Sequence, residues 1–275
     1  MKTIRELELG GTTIRLVEMK EGFGGVVISK MGQVTRYQGD DLEKLWGQLK
    51  TEAGKSDEAY FGFDGAMNRF SHLFPDGFGS TAFATHERKY KVDASENLRA
   101  NLPLEVAIDA SGVGEVALKA FRETNLLAPI EQARVQELLR GKFADEFVQA
   151  AAAFTLGNVS EGIAGMKLAS AESDIAHWTV FTYLPFLWRP EEHMFLKPAV
   201  TKDFAARVGH SFAYEYSAAL DVGVYESLLS LTAETKLEIS KLEPADNIDI
   251  QSFIWIVGKY DAADEADVIR ERKGS

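Results

Sequence analysis

Apolar and polar positions alternate along the first 40 residues in a way that predicts a small antiparallel sheet. Side chains with a period of two lie on either side of Gly10 and Gly11, which suit a tight turn. Four runs of this kind occur, at residues 3–9, 12–19, 23–29 and 33–37. The pattern therefore predicts a four-stranded β-meander with one apolar face.

The spacing changes to that of a helix from about residue 40 to residue 53. Asp40 can accept hydrogen bonds at the start of this helix, and Gly54 can end it. The apolar side chains fall on one stripe at intervals of three or four, namely Leu42, Leu45, Trp46 and Leu49. We expect this stripe to cover the sheet, because the apolar face of a sheet needs a partner layer.

Helical spacing continues through most of the remaining chain, after a polar stretch at residues 54–57. Helices are predicted near residues 62–70, 81–102, 113–123, 129–140, 143–156 and 221–242, and a last helix is predicted to begin after Asp246 or Asp249 and to end at Gly258. The last of these has a strand as its alternative, because Ile254, Trp255, Ile256 and Val257 are also typical of a strand. Other segments are interpreted as a loop with a loose helix at 158–173, a strand at 211–216 and a frayed tail at 259–275.

The predicted fold class is α+β. A small N-terminal antiparallel β-meander plus helix is expected at residues 1–55, followed by a larger mainly α-helical domain at residues 56–275. Three tryptophans with apolar neighbours are expected in the core of the larger domain: Trp178, Trp188 and Trp255.

The composition is that of a folded, acidic protein. The 275 residues include 45% hydrophobic and 26% charged side chains, which argues against wholesale disorder. The formal charge of −12 disfavours a broad phosphate-binding surface. Residues 1–55 differ, because nine basic and eight acidic side chains give them a charge near +1. The total charge therefore disfavours nucleic-acid binding, but the local charge of residues 1–55 keeps binding through this module open.

The absence of cysteine excludes disulfides, thiolate nucleophiles and cysteine-ligated metals. The first nine residues carry charges throughout and lack the apolar segment of a secretory signal. No stretch approaches the ~18 apolar residues of a membrane span. We therefore expect a soluble cytoplasmic protein that does not associate with membranes.

The motifs of the common enzyme classes are absent. We find no phosphate-binding loop, no Gly-x-Ser-x-Gly nucleophile elbow and no His-Glu-x-x-His pair. Catalytic groups can still come from separate segments, so an enzyme activity stays open. We predict no cofactor. We also predict no metal site, because His177, His193 and His210 are too widely spaced for a typical zinc site.

A local cluster of cations interrupts this acidic chain between residues 177 and 210, where four positive side chains accompany three negative ones. Thr201 is placed to cap a following helix, whose free amides and dipole would attract an anion. The predicted anion-binding residues are Arg189, His193, Lys197, Thr201 and Lys202. The alternative is that Arg189 and Lys197 pair with neighbouring carboxylates and brace a loop bounded by prolines.

A second group of titratable side chains could supply an acid, a base and a cation, namely Asp64, His86, Glu87 and Arg88. The alternative is a solvated helix face, because Glu87 and Lys91 are four residues apart and would form an ordinary surface ion pair.

Three functional hypotheses remain from the sequence. The first is a non-catalytic binding or interaction protein, whose partner would be a small anionic ligand or another protein. The second is an enzyme or sensor for a phosphate- or carboxylate-bearing small ligand. The third is an accessory protein that contacts nucleic acid through its N-terminal module.

Overall fold

The computed structural model describes residues 2–9, 12–29, 32–54, 61–260, 264 and 266–270. The strands are β1 Lys2–Leu9, β2 Thr12–Glu18, β3 Phe23–Ile28 and β4 Val34–Gly39. The helices are α1 Leu42–Gly54, α2 Gly62–Leu73, α3 Thr81–Phe83, α4 Lys89–Asn101, α5 Leu104–Ala107, α6 Gly114–Arg122, α7 Pro129–Leu139, α8 Ala144–Thr155, α9 Val159–Ala169, α10 Trp178–Phe181, α11 Tyr183–Trp188, α12 Pro198–Val208, α13 Phe212–Glu215, α14 Val222–Glu238 and α15 Asn247–Lys259. A four-stranded antiparallel sheet followed by a mostly helical region confirms the predicted α+β class.

The chain forms two compact units, and each is described by itself. The first consists of Met1–Asn68 with Thr201–Tyr216, and the second of Arg69–Val200 with Ser217–Ser275. The domain boundary predicted near residue 55 stays a prediction, and residues 55–60 lie outside the described part of the chain.

The first unit is built on the sheet, whose strands are adjacent in chain order. The register places Ile14 opposite Leu7 on one side and opposite Val27 on the other. Because alternate side chains of a strand point to one face, Ile14, Leu16 and Val27 are buried together. The strand pattern in the sequence thus predicted both the strands and their buried face.

Helix α1 covers this buried face, as predicted. Leu45 and Leu49 are buried against the sheet. Leu49 lies so close to Gly25 of β3 that a Cβ atom on that residue would come within 2.6 Å of Leu49 Cδ2. A glycine within the strand therefore allows the close approach of the helix.

The start of α1 corrects one prediction. The Lys44 N–H donates to Asp41 Oδ1 at 3.0 Å, so Asp41 caps the helix. The predicted cap, Asp40, lies one residue too early. Two adjacent aspartates present the same sequence signal, and only the backbone path selects between them.

The first unit also contains residues from far along the chain. The Phe61 N–H donates to the Arg207 carbonyl at 2.8 Å, and Lys50 Nζ lies 2.9 Å from a Glu215 carboxylate oxygen. Tyr214 packs against the core formed by the sheet and α1. These contacts join residues 201–216 to the N-terminal sheet.

The strand predicted at residues 211–216 is wrong, because α13 occupies this segment. The rings of Phe212 and Tyr216 have centroids 5.9 Å apart. Residues that are four apart in the sequence meet on one side of a helix. The spacing of Phe212 and Tyr216 therefore fits a helix as well as a strand, and the alternation of aromatic side chains did not indicate a strand.

The second unit follows the predicted helices closely in its middle and C-terminal parts. The predictions at 113–123, 129–140 and 143–156 agree with α6, α7 and α8 to within one residue at each end. The last predicted helix corresponds to α15, and of its two possible caps Asp246 is the one used. The strand alternative for α15 is wrong. The segment interpreted as a loop with a loose helix contains the regular helix α9.

Large aromatic side chains fill the core of the second unit. The ring of Phe70 contacts four others at centroid distances of 4.8 to 5.9 Å, namely Phe74, Phe78, Phe83 and Phe253. Trp178 and Trp188 are buried as predicted. Trp255 is only half-buried, because it lines the cavity described below.

The C-terminal end differs in part from the predicted tail. Asp264 and residues 266–270 are helical, and the Val268 side chain is buried. The rest of residues 261–275 lies outside the described part of the chain. Among the described helices, none combines the length and the apolar character needed to cross a membrane.

We expect truncation of Trp188 to destabilise the protein strongly. This side chain is 2% exposed, and its indole N–H donates to the Leu102 carbonyl at 2.9 Å. Trp188→Ala should lower the free energy of unfolding by ~3–5 kcal/mol in urea denaturation. Leu237→Ala is the control, because Leu237 is 71% exposed, and its effect should stay within ~0.5 kcal/mol. Similar midpoints for the two variants would contradict the burial of Trp188.

Candidate functional site

An irregular turn of helix lies at the centre of the candidate site. The single helix predicted at residues 81–102 is divided into α3, a π-helical turn at Ala84–Arg88 and α4. The Lys89 N–H donates to the Ala84 carbonyl, five residues earlier. Such turns are rare and occur frequently at functional sites, because they redirect the side chains that follow.

The π-helical turn and α4 carry a buried ion pair. Lys91 Nζ donates to Glu87 Oε2 at 2.9 Å and to Ser252 Oγ at 2.8 Å. The Tyr260 hydroxyl donates to the other carboxylate oxygen of Glu87 at 2.8 Å. Lys91 is 1% exposed and Glu87 5%. The interpretation of this segment as a solvated helix face is therefore wrong.

Arg88 holds the turn against the start of α15. Its guanidinium donates to both carboxylate oxygens of Asp246 at 2.8 and 2.9 Å, and to Asp249 Oδ1 at 2.6 Å. Asp246 is the N-cap of α15, where its side chain accepts two backbone N–H groups. Arg88 and Lys91 are three residues apart, as are Asp249 and Ser252. The two contacts thus lie on successive turns of both helices.

A cavity of about 70 Å³ opens beside the ion pair. Its floor consists of three buried side chains, Glu87, Lys91 and Gln251. Its rim consists of side chains that reach solvent, namely Tyr90, Asn125, Lys197 and Trp255. Leu126 and Phe195 complete the lining with apolar surface. The cavity therefore combines a charged floor, an apolar wall and an open rim.

Burial changes the proton affinities of the groups at this cavity. It lowers the pKa of Lys91 below the usual lysine value, while the negative charge of Glu87 opposes this effect. Burial, followed by the charge of Glu87, raises the pKa of the Tyr90 and Tyr260 hydroxyls above the tyrosine value. Both hydroxyls therefore keep their protons and remain donors.

Gln251 presents an acceptor that the described residues do not satisfy. Its Oε1 atom is buried and has no hydrogen-bond partner among them. Leaving a buried amide oxygen unpaired costs about 1–3 kcal/mol. The residue also lines the cavity.

Lys197 places a second ammonium group at the rim. Its Nζ atom donates to the Leu126 carbonyl at 2.8 Å and lies 3.9 Å from Glu131 Oε2. Glu131 also accepts the Ala128 N–H at 2.8 Å and the Thr179 hydroxyl at 2.5 Å. Lys197 therefore forms an ion pair at the rim with a carboxylate that the fold holds in place.

The other members of the predicted anion site in the second unit have different surroundings. Arg189 lies 3.3 Å from Glu192 Oε2. His193 is buried, with Nδ1 2.9 Å from the Tyr225 hydroxyl and Nε2 3.0 Å from the Thr155 carbonyl. A carbonyl can only accept, so Nε2 carries the proton and Nδ1 accepts from Tyr225. Both ring nitrogens of His193 are used within the fold.

Two residues of the predicted anion site belong to the first unit. Thr201 is buried within α12, which begins at Pro198, so the prediction that Thr201 caps this helix is wrong. Proline is favoured in the first turn, since its missing N–H has no partner there. Lys202 Nζ lies 5.5 Å from the centre of the Tyr216 ring. That the five residues form one anion site stays a prediction. Of these five, Lys197 alone lines the cavity.

The second predicted group is also divided. Asp64 is exposed on α2 and belongs to the first unit, while His86 is half-buried on the π-helical turn of the second. Glu87 lies in the cavity floor, and Arg88 holds α15. The four residues as one site stay a prediction, and the sequence placed Lys91 in a surface ion pair with Glu87 rather than in a buried one.

Several residues of the site were missed from the sequence, including Lys91, Gln251, Ser252 and Tyr260. One signal could have revealed the first of them. Glu87 and Lys91 lie at intervals of four residues after Phe83, on the stripe that continues to Leu98. Charged residues on an apolar stripe indicate a buried pair. No comparable signal marks Gln251 or Tyr260.

Comparison of the chain with models of known families, with curated proteins and with solved structures gives no match. The function proposed below therefore rests on the geometry of the cavity.

Removing one partner of the buried pair should be more damaging than removing both. Lys91→Met leaves the Glu87 carboxylate without its cation, and should lower the free energy of unfolding by ~3–5 kcal/mol. The double variant Glu87→Met with Lys91→Met should recover most of this loss. Urea denaturation measures both effects.

A matched control for the pair lies on α4 itself. Lys89 and Asp93 form an ion pair with the same spacing, but their side chains are 71% and 50% exposed. Lys89→Met should change stability by less than ~1 kcal/mol. Equal effects of Lys89→Met and Lys91→Met would show that the inner pair is not buried.

Acidification should destabilise the second unit through His193. Burial lowers the pKa of His193 below its usual value, so the unfolded chain gains a proton before the folded chain does. The contribution of His193 to the free energy of unfolding should be fully present above pH ~6.5. Below this pH, the free energy of unfolding should fall by at most ~1.4 kcal/mol per pH unit. Urea denaturation at several pH values measures this slope, and His193→Gln should reduce it. An unchanged slope in the variant would show that other groups cause the dependence.

Proposed function

We propose that the second unit binds a small carboxylic acid that also carries a hydrogen-bond donor, such as a short 2-hydroxy acid. The binding place is the cavity beside Glu87 and Lys91. The observation that carries the proposal is the buried, unpaired Gln251 Oε1 in a cavity with two lysines.

The charge of the lining supports an anionic ligand. Lys91 and Lys197 both line the cavity. Lys91 is paired with Glu87 at 2.9 Å, whereas Lys197 lies at the longer distance of 3.9 Å from Glu131, so the Lys197 ammonium is the group that a ligand carboxylate would approach. A carboxylate that binds Lys197 can keep part of its hydration, because the rim reaches solvent.

The unpaired oxygen of Gln251 supports a second requirement. Only a donor can satisfy it, and a carboxylate alone carries none. A hydroxyl next to the carboxylate would give the ligand an anionic end for the rim and a donor for the floor. The apolar wall of Leu126 and Phe195 suits the carbon atoms between them.

The size of the cavity favours a short acid over a phosphate ester. A cavity of about 70 Å³ has room for only about five or six water-sized groups, since one water needs ~10–15 Å³. A phosphate dianion would also need more cationic partners than Lys197 alone supplies at the rim. The carboxylate-bearing ligand is therefore the better of the two chemistries expected from the sequence.

Thermal denaturation of the full chain with glycolate or lactate tests the proposal. A ligand at 100 times its dissociation constant adds ~2.7 kcal/mol of stability when it binds only the folded state. For a chain of this length, the melting temperature should rise by on the order of 5 °C. Lactamide, which keeps the hydroxyl but lacks the charge, should give little shift, and inorganic phosphate tests the other anion class.

Two lysine variants locate the response. Lys197→Met should weaken glycolate binding by about 10-fold to 100-fold, because a hydrogen bond to a charged group contributes ~1.5–3 kcal/mol. Lys167→Met is the matched control, since Lys167 also donates to a backbone carbonyl, that of Leu220, at 2.8 Å and does not line the cavity. A shift with every anion, or an equal loss in both variants, would contradict the proposal.

A further inference from the structure

We infer that Lys91 is a nucleophile, and that the reactive ligand of this cavity is a small oxo acid whose carbonyl carbon forms a Schiff base with Lys91 Nζ. The inference rests on the proposed function, since it assigns a substrate class to the same cavity. It adds a covalent step that the binding of a hydroxy acid does not require.

The position of Lys91 supports this step. Its Nζ atom has two hydrogen-bond acceptors, Glu87 Oε2 at 2.9 Å and Ser252 Oγ at 2.8 Å. No third acceptor is present among the described residues, and the centre of the Tyr90 ring lies 5.3 Å away. A neutral amine can donate one hydrogen to each acceptor and keep its lone pair for an electrophile. Because Lys91 lines the cavity, a carbonyl group bound there is the available electrophile.

Ser252 cannot replace Lys91 as a donor to Glu87 or as a nucleophile. Its hydroxyl hydrogen is donated to the Ile248 carbonyl at 2.8 Å. Its oxygen therefore accepts from Lys91, and this contact fixes the amine. Ser252 is a positioning residue in this scheme.

Burial favours the neutral amine form of Lys91 over the ammonium form. The side chain is 1% exposed, and this burial lowers its pKa. Glu87 is the group to which the ammonium can pass its proton. Tyr260 stabilises the carboxylate of Glu87 by donating to Oε1 at 2.8 Å. A buried lysine with an adjacent base is the usual arrangement for Schiff-base formation.

The reaction balances with the groups present. The Lys91 ammonium passes a proton to Glu87, and the amine lone pair forms a bond to the carbonyl carbon while the carbonyl electrons move to oxygen. A proton moves from nitrogen to that oxygen and gives a carbinolamine. Glu87 returns its proton to the hydroxyl group, which leaves as water, and the nitrogen electrons form the C=N bond. The products are a protonated Schiff base, one water molecule and the Glu87 carboxylate.

Gln251 and Lys197 have defined parts in this scheme. The carbinolamine hydroxyl supplies the donor that the buried Gln251 Oε1 lacks. The Lys197 ammonium binds the carboxylate of the oxo acid at the rim. An oxo acid too long for a cavity of about 70 Å³ would not reach Lys91.

Reductive trapping of the full chain tests the inference. The protein is incubated with glyoxylate and sodium cyanoborohydride, which reduces the C=N bond and leaves a stable carboxymethyl group on the amine. Peptide mapping by mass spectrometry should find this group first on Lys91. Labelling of Lys91 should be at least about tenfold faster than labelling of exposed Lys89, because burial lowers the pKa of Lys91 and each unit of that lowering raises its amine fraction about tenfold.

Three variants refine the test. Lys91→Arg keeps a cation for Glu87 but should abolish fast labelling, while circular dichroism reports whether it is folded. Glu87→Gln removes the group that protonates the leaving hydroxyl and should slow labelling of Lys91 by roughly 100-fold. Because it also removes the charge that raises the Lys91 pKa, the two proteins are compared at a pH where labelling of the wild type no longer increases with pH. Lys89→Arg should leave labelling of Lys91 unchanged. The map of the wild-type protein gives a result even where a variant does not fold.

The outcomes separate the covalent step from binding. Labelling spread evenly over exposed lysines would overturn the inference. If glycolate raises the melting temperature and Lys197→Met removes that effect, while Lys91 is not labelled, the covalent step is wrong and the proposed function stands. Absence of both responses would overturn both.

Discussion

The removal of two charges from water is the constraint around which the second unit is built. An isolated buried ion would lose several kcal/mol of solvation, and attraction within a pair offsets this only when further hydrogen bonds are present. Lys91 and Glu87 meet this condition through Ser252 and Tyr260. Both of these groups belong to α15 or its end. The stability of this ion pair therefore depends on the placement of a second helix, α15.

Arg88 and the π-helical turn set that placement. Arg88 binds the carboxylate that caps α15 and, on the next turn of both helices, Lys91 reaches Ser252. The turn at Ala84–Arg88 changes the direction of the side chains between the aromatic core near Phe83 and the charged residues. The same turn thus carries Glu87, which belongs to the buried pair and also lines the cavity.

Stability alone does not explain why a charged pair occupies this position. A pair of apolar side chains of similar volume usually serves a protein core equally well or better. The pair lies at the floor of a cavity that also contains an unpaired amide oxygen and a second lysine. This combination is the basis of the proposed role in binding, in which each group would meet a different part of a small acid.

The sequence by itself determined the elements whose signals are local. Alternation at residues 3–37 gave the meander, and the stripe from Leu42 to Leu49 gave its covering helix, since period and burial are directly linked. Apolar spacing likewise gave α6, α7, α8 and α15.

Only the tertiary structure decided the rest. It joined residues 201–216 to the sheet, and it turned the pair of Glu87 and Lys91 from a surface feature into a buried one. Spacing of four residues is the same for both cases, and burial depends on packing against α15, more than 150 residues later. Gln251, Ser252 and Tyr260 entered the site for the same reason, because contacts between distant segments leave no periodic trace in the chain.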